Sequence, residues 1–161
     1  MEFTISPSVL KNELEFIAVT DSKTNPVLSS VLITATAIGN EITIFGSDQE
    51  TSTKVVATAN VKKAGKMCIP AKKLLAFAKT LSGDITLKEE PNHWVQLKSG
   101  NSKFRIKGFN PEQFPEMSKA DKFDIVINSK TFAKMVKSVE FAITNEETRF
   151  SLFGVKLELS D

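Results

Sequence analysis

The side chains able to do covalent or acid–base chemistry are few and scattered in this 161-residue sequence. The one histidine, His93, stands beside Trp94 at the start of a predicted strand. General acid–base work needs a positioned partner, and a structural or catalytic metal needs several donors at ligand spacing. His93 has neither near it in the sequence and reads as a turn or surface residue. The one cysteine, Cys68, lies in an apolar strand ahead of a helix. A reactive thiol needs an electropositive, partly open setting, so Cys68 reads as buried and inert, although Lys66 and Lys72 are close in sequence. Asp48 and Glu50, in the run Gly46-Ser47-Asp48-Gln49-Glu50, point the same way on an extended segment and could pair their carboxylates. No further oxygen ligands accompany them, and a turn-and-cap cluster at a strand end is the simpler reading. The seven glycines are scattered over turns and form no phosphate loop. No catalytic residue, metal site or cofactor is expected.

Lysines are the more informative residues. The net charge is only +2, but residues 54–81 hold seven lysines and no carboxylate, and residues 98–107 add Lys98, Lys103, Arg105 and Lys107. Acids gather elsewhere, at Glu13 and Glu15, Glu89 and Glu90, Glu112 and Glu116, and Glu146 and Glu147. Charge sorted in this way can steer a polyanion even when the total is small. On a predicted helix over 70–81, Lys72, Lys73 and Lys79 lie opposite Leu74, Leu75, Ala78 and Leu81. On another, Lys130, Lys134 and Lys137 form one stripe opposite Phe132, Val136 and Val139. Lysine stripes without interleaved aromatics suit phosphate backbones better than stacked bases.

The elements that carry these residues recur. Glu2–Ile5 reads as a strand, Ser6 caps, Pro7 occupies the first helical position, and Val9, Leu10, Leu14, Ile17 and Ala18 give a helix ending near Thr20. Extended segments follow over 27–37, 41–45 and 51–59, the first two joined at Gly39-Asn40, with a basic loop over 61–65. The pattern restarts with a strand at Lys66–Ile69, the helix opened by Pro70 and ended by Gly83, and strands over 84–89, 93–98 and 102–108. Residues 110–120 read as a linker. A third start has a strand over 123–127, a cap at Asn128 or Ser129, a helix through Phe132, Met135, Val136 and Val139, and a strand over 149–159. The starts align without gaps at offsets of 64 and 58 residues, with Ile5, Ile69 and Ile127 closing the strand and Leu10, Leu74 and Phe132 as the first large apolar residues. A repeated strand–helix–three-strand unit is implied, and one unit cannot bury its helix face alone. The expected organisation is a first domain over 1–110 built from units 1–62 and 63–110, a linker over 111–122, and an incomplete second domain over 123–161. The fold class is α+β, with helices on one face and antiparallel sheet outside.

Composition agrees with an ordinary globular chain, at 41% hydrophobic and 25% charged residues. The single cysteine, the lack of a basic leader and the lack of a long apolar run point to a reducing, cytoplasmic setting without a membrane span.

Several stretches resemble the bacterial sliding clamp family, the beta subunit of DNA polymerase III. They are Met1-Glu2-Phe3-Thr4-Ile5, Asn25–Leu32, Thr43–Glu50, Ile69-Pro70-Ala71-Lys72-Lys73-Leu74-Leu75, Lys98–Phe104, Gln113-Phe114-Pro115-Glu116-Met117 and Arg149–Val155. The resemblance runs through the whole chain in order and spacing. It implies a DNA-clamp fold, a ring of two identical chains around duplex DNA, and a tether for DNA polymerase III that is placed by a clamp loader. It implies no catalysis, no cofactor and no sequence preference. Family members are more than twice this long, so the chain is expected to act as a fragment unable to close the ring. By resemblance, DNA contacts fall on Ser22 and Lys23, on Lys72, and on Arg149, Phe150 and Ser151. Glu146 departs from the family pattern there, since a carboxylate repels phosphate, and the chain has no tyrosine. The ring interface falls on Lys73 and Phe77 and on Lys103, Phe104 and Ile106. Two alternatives belong to other classes: a small thioesterase-like helix-on-sheet enzyme, with Asp48 as its one weak catalytic prospect, and a pure protein-interaction module.

Overall fold

The computed structural model describes residues 1–17, 19, 25–48, 50–116, 125–144 and 152–158. Its internal contacts divide the chain into two compact units, Met1–Met117 and Ser118–Asp161.

In the first unit the strand–helix–three-strand pattern occurs twice. The first copy is β1 (Glu2–Ile5), α1 (Pro7–Glu15), β2 (Ser30–Ala35), β3 (Gly39–Ser47) and β4 (Ser52–Lys63). The second is β5 (Gly65–Pro70), α2 (Ala71–Thr80), β6 (Ile85–Glu90), β7 (Trp94–Ser99) and β8 (Ser102–Lys107). The eight strands make one sheet in the order β5-β2-β3-β4-β1-β6-β7-β8, antiparallel throughout. The opening strand of each copy pairs into the other copy. β1 lies between β4 and β6, with Phe3 opposite Val61 and Leu87, and β5 pairs with β2, with Cys68 opposite Leu32. Neither copy completes its sheet alone.

The two ends of the sheet also meet. Cys68 of β5 and Phe109, just past β8, form an isolated antiparallel bridge. The Phe109 N–H donates to the Cys68 carbonyl at 3.0 Å, and the Gly108 N–H donates to the His93 carbonyl at 2.8 Å. Thr4 stands 64 residues before Cys68 and pairs with Asn60 of β4. The bridge is therefore the second copy's counterpart of the β1–β4 pairing, cut to one residue pair.

Alternation along the strands sorts side chains to two faces. On the inner face, Phe3, Ile5, Val31, Ile33, Ile42, Ile44, Met67, Ile69, Ile85, Leu87, Val95 and Leu97 pack with Leu10, Leu14 and Ile17 of the first copy and Leu74 and Ala78 of α2. Full burial of each large apolar side chain is worth ~1.5–3 kcal/mol. On the opposite face a smaller cluster joins Val27, Leu28, Phe45, Cys68 and Phe114, with Phe45 and Phe114 edge to face at 5.4 Å.

The observed boundaries depart from the expected ones where long-range pairing decides. α1 stops at Glu15, and Phe16 beyond it is 78% exposed. Its last turn carries Glu13 and Glu15 and no cation, the wrong sign for a helix C-terminus. Pro26–Ser29 is a short 3-10 turn, and β2 begins only at Ser30. The β2–β3 turn falls on Thr36–Ile38, with Gly39 and Asn40 already in β3. The expected basic loop over 61–65 is mostly strand: Val61–Lys63 end β4, held extended by β1 and β3, and Gly65 opens β5. Pro111–Gln113 forms a 3-10 turn, capped by the Asn110 side chain, that carries Phe114 into the smaller cluster.

The second unit contains α3 (Ser129–Val139), followed by a 3-10 turn over Glu140–Ala142. The Asn128 side chain caps α3 by accepting from the Lys130 and Thr131 N–H groups at 3.0 and 3.3 Å. Strands were expected over 123–127 and 149–159. The described residues of those stretches, 125–127 and 152–158, are not in strands. Among the described residues no helix is long and apolar enough to cross a membrane.

Candidate nucleic-acid interface

α2 presents the clearest basic surface. Proline at its N-cap ends β5 in a conformation that starts the helix, and Ala71, Leu74 and Ala78 turn into the core. That arrangement leaves Lys72, Lys73, Ala76 and Lys79 exposed along the opposite side. Lys79 Nζ lies 3.1 Å from Glu15 Oε1, so one of these cations links α2 to the end of α1. α1 contributes a mixed surface, with Lys11 beside Glu13 and Glu15, so the positive character of the helix layer rests on α2. Between the start of α1 and the end of α2 runs an open groove lined by Ser6, Ser8, Lys11, Ala78, Lys79 and Ser82. In the second unit, Lys130, Lys134 and Lys137 are exposed and line a shallow hollow on α3 with Ala133 and Ser138.

The residues assigned by resemblance fall into three groups. Lys72 is on the exposed first turn of α2. Ser22, Lys23, Glu146, Arg149, Phe150 and Ser151 lie outside the described residues. The ring-interface set divides. Lys73 and Lys103 are exposed, and Phe77 packs on Phe104 with ring centroids 4.7 Å apart and the rings tilted by 43°. Phe104 and Ile106 do share a face of β8, but Ile106 is 3% exposed and belongs to the core, whereas Phe104 is 38% exposed. Ile106 can therefore meet a partner only through its backbone. β8 pairs with β7 on one side, and its other edge is open up to the Cys68–Phe109 bridge.

The positions weighed for chemistry have structural duties. Asp48 Oδ1 accepts from the Glu50 and Thr51 N–H groups at 3.0 and 2.6 Å, closing the β3–β4 turn. His93 sits at φ 60° with its carbonyl taken by Gly108. Cys68 is buried, and burial pushes its thiol up to about 12 from an ordinary 9.0, so it stays protonated. Among the described residues no cluster of three or more His, Cys, Asp or Glu side chains is placed to hold a metal.

The sequence profile described as the N-terminal domain of the DNA polymerase III beta subunit matches residues 1–118. The chain belongs to the DNA polymerase III beta subunit family. A curated relative, the beta sliding clamp of Chlamydia muridarum, is 29% identical over 167 residues, covering all of this chain and 44% of its own length. A solved sliding clamp from Bartonella birtlesii, bound to griselimycin, is 26% identical at a TM-score of 0.82, covering 93% of this chain and 41% of its own. The beta subunit from Streptococcus pyogenes has the same TM-score at 22% identity, with 92% and 41% covered. The chain thus spans less than half the length of the clamps it matches. The DNA-clamp fold accounts for the doubled strand–helix–three-strand unit.

What reading the sequence alone missed is the outward side of β6–β8. There Arg105 and Lys107 stand over Trp94, at 4.9 and 5.5 Å from the ring centroid. The signal was present in the period-two alternation of residues 94–98 and 103–107 about the Gly100-Asn101 turn, which fixes the cross-strand partners.

Proposed function

We propose that this chain is part of a DNA polymerase processivity factor, a sliding clamp that encloses duplex DNA without sequence preference and tethers the replicative polymerase. The observation that carries the reading is the family match over residues 1–118 on a fold whose α2 turns Lys72, Lys73 and Lys79 away from the core. Lysines on a helix face without an exposed aromatic suit a phosphate backbone. In this reading Ser22, Lys23, Lys72, Arg149, Phe150 and Ser151 contact DNA. Lys73, Phe77, Lys103 and Phe104, with the backbone at Ile106, form one side of a two-chain ring interface. The first clamp domain extends through Phe114, which packs in its smaller cluster, to about residue 117, and the chain beyond begins the second. The full-length protein is a non-catalytic accessory subunit that works in the cytoplasm, tethering DNA polymerase III after a clamp loader places it on DNA.

A clamp holds DNA by enclosure, so the direct contacts of this chain are few and weak. Duplex affinity is measured by fluorescence anisotropy across a salt series. Each neutralised phosphate contributes about −0.9 to the log–log slope. Lys23→Ala with Lys72→Ala should weaken binding equally on unrelated duplex sequences. Tight binding at high salt, or preference for one sequence, contradicts the reading. Thioester hydrolysis dependent on Asp48 would favour the enzyme alternative, but Asp48 already closes a turn with its carboxylate.

A further inference from the structure

The face of the sheet turned away from the helices carries a second, differently built basic surface. Val95 and Leu97 of β7 are buried, so Trp94, Gln96 and Lys98 project outward. The register sets them opposite Lys107, Arg105 and Lys103 of β8 on one side. On the other side they face Glu90, Lys88 and Thr86 of β6. The resulting patch holds five cations on three adjacent strands, with Glu90 the one carboxylate among these nine positions. Glu90 is engaged within the patch, accepting from Arg105 Nη2 and from Gln96 Nε2, each at 2.7 Å. The Lys107 ammonium donates to the Asn92 carbonyl while standing over Trp94.

Two features set this patch apart from an ordinary solvated face. Lys98 and Lys103 are exposed and directly opposite each other, and like charges in that relation destabilise a sheet. Cations on β8 alone would be explained as protection of an open edge against strand addition. Lys98, however, lies on β7, an interior strand with no edge to protect, whereas Lys88 of β6 is already paired across strands with Glu2 of β1 at 3.8 Å. The second feature is the aromatic. On α2 the one aromatic, Phe77, is half-buried and packed on Phe104, whereas here Trp94 lies under the Arg105 guanidinium within the cationic rows. Cations that track phosphates around an aromatic or guanidinium plane that receives a base are how flat sheet surfaces hold a single strand.

We propose that the outward face of β6, β7 and β8 binds single-stranded nucleic acid, with Lys98, Lys103 and Lys107 on phosphates and a base on the Trp94–Arg105 stack. This surface is separate from the duplex-facing lysines of α2, and neither assignment depends on the other.

Trp94 is the only tryptophan of the chain, so intrinsic fluorescence reports on this patch alone. The 161-residue protein is titrated at low salt with a short oligo(dT), with a blunt duplex of equal length and with poly-glutamate. Oligo(dT) is expected to quench Trp94 saturably and more strongly than the other two. The Lys98→Glu variant is expected to bind oligo(dT) on the order of tenfold more weakly and to flatten its salt slope by about 0.7 for each phosphate it no longer neutralises. Its melting temperature should hold or rise, because an opposite-charge pair with Lys103 replaces a like-charge one. Weakened binding with retained stability cannot come from misfolding. Absence of quenching overturns the proposal, as does quenching untouched by Lys98→Glu. Equal or stronger quenching by poly-glutamate overturns it too, making the face a docking surface for an acidic protein.

Discussion

Gly108 is the residue on which closure of the first unit turns, and Gly108→Ala tests that closure. The glycine follows β8 directly, where the chain passes between Cys68 of β5 and His93 before β7. A Cβ at this position would stand 2.3 Å from the Cys68 carbonyl oxygen and 2.9 Å from that of His93. Both obstacles are backbone atoms fixed by sheet hydrogen bonds, so neither can swing aside as a flexible side chain would. Relief requires the chain at 108 to move off β5 and His93. Overpacking of this kind costs roughly 1–3 kcal/mol. The shift also weakens the Gly108–His93 and Phe109–Cys68 hydrogen bonds, 2.8 and 3.0 Å long, each worth about 1 kcal/mol net. The expected loss is about 2–4 kcal/mol, a fall in melting temperature on the order of 10 °C for a unit of this size. Urea denaturation followed by circular dichroism measures the free energy. Hydrogen exchange at the Phe109 amide measures the local opening. A variant within ~0.5 kcal/mol of the parent, with Phe109 as protected as before, would show that the two sheet ends are not locked together as described.

Three further outcomes follow from the same packing. Leu74→Ala empties a fully buried site between α2 and the sheet and should cost about 2–5 kcal/mol in the same denaturation assay. Cys68 ionises near 9.0 when unfolded and near 12 when folded, so the unfolded state binds fewer protons in that window. Stability should therefore be full below pH 9 and fall above it, by up to about 1.4 kcal/mol per pH unit, more steeply than in Cys68→Ala. On α3, Phe132, Met135 and Val139 are 42%, 47% and 42% exposed. Its amides at 130–139 should exchange much faster than those of 71–80, with protection rising with protein concentration if copies associate; equal protection at all concentrations would count against an uncovered face.

The legible parts of the sequence were those fixed by local chemistry. Residues 84–107 gave β6, β7 and β8 within a residue or two, because strict alternation and the Gly100-Asn101 turn leave one register. Pro7 and Asn128 marked helix starts for reasons contained within one turn of chain. Errors arose where a partner distant in sequence decides. Lys62 and Lys63 read as a loop because the strand that extends them, β1, lies some sixty residues away. Gly39-Asn40 read as a turn, yet pairing of Gly39 with Val61 draws it into β3. At the interface set, alternation placed Phe104 and Ile106 on one face, as observed. It could not show that Ile106 lies over the core and Phe104 over Phe77 at its margin. The Trp94 cluster needed both the register of β7 with β8 and the face of the sheet on which it lies.

The most direct test of the clamp reading is where duplex DNA touches the chain. Amide chemical shifts of the isotope-labelled 161-residue protein are followed by NMR as a short duplex of arbitrary sequence is added at low salt. The account predicts fast-exchange shifts at Lys72, Lys73 and their neighbours on α2, the same set for a second, unrelated duplex, fading as salt is raised. Shifts confined to the outward side of β6–β8, a set that changes with duplex sequence, or no shifts on α2 at all would contradict it.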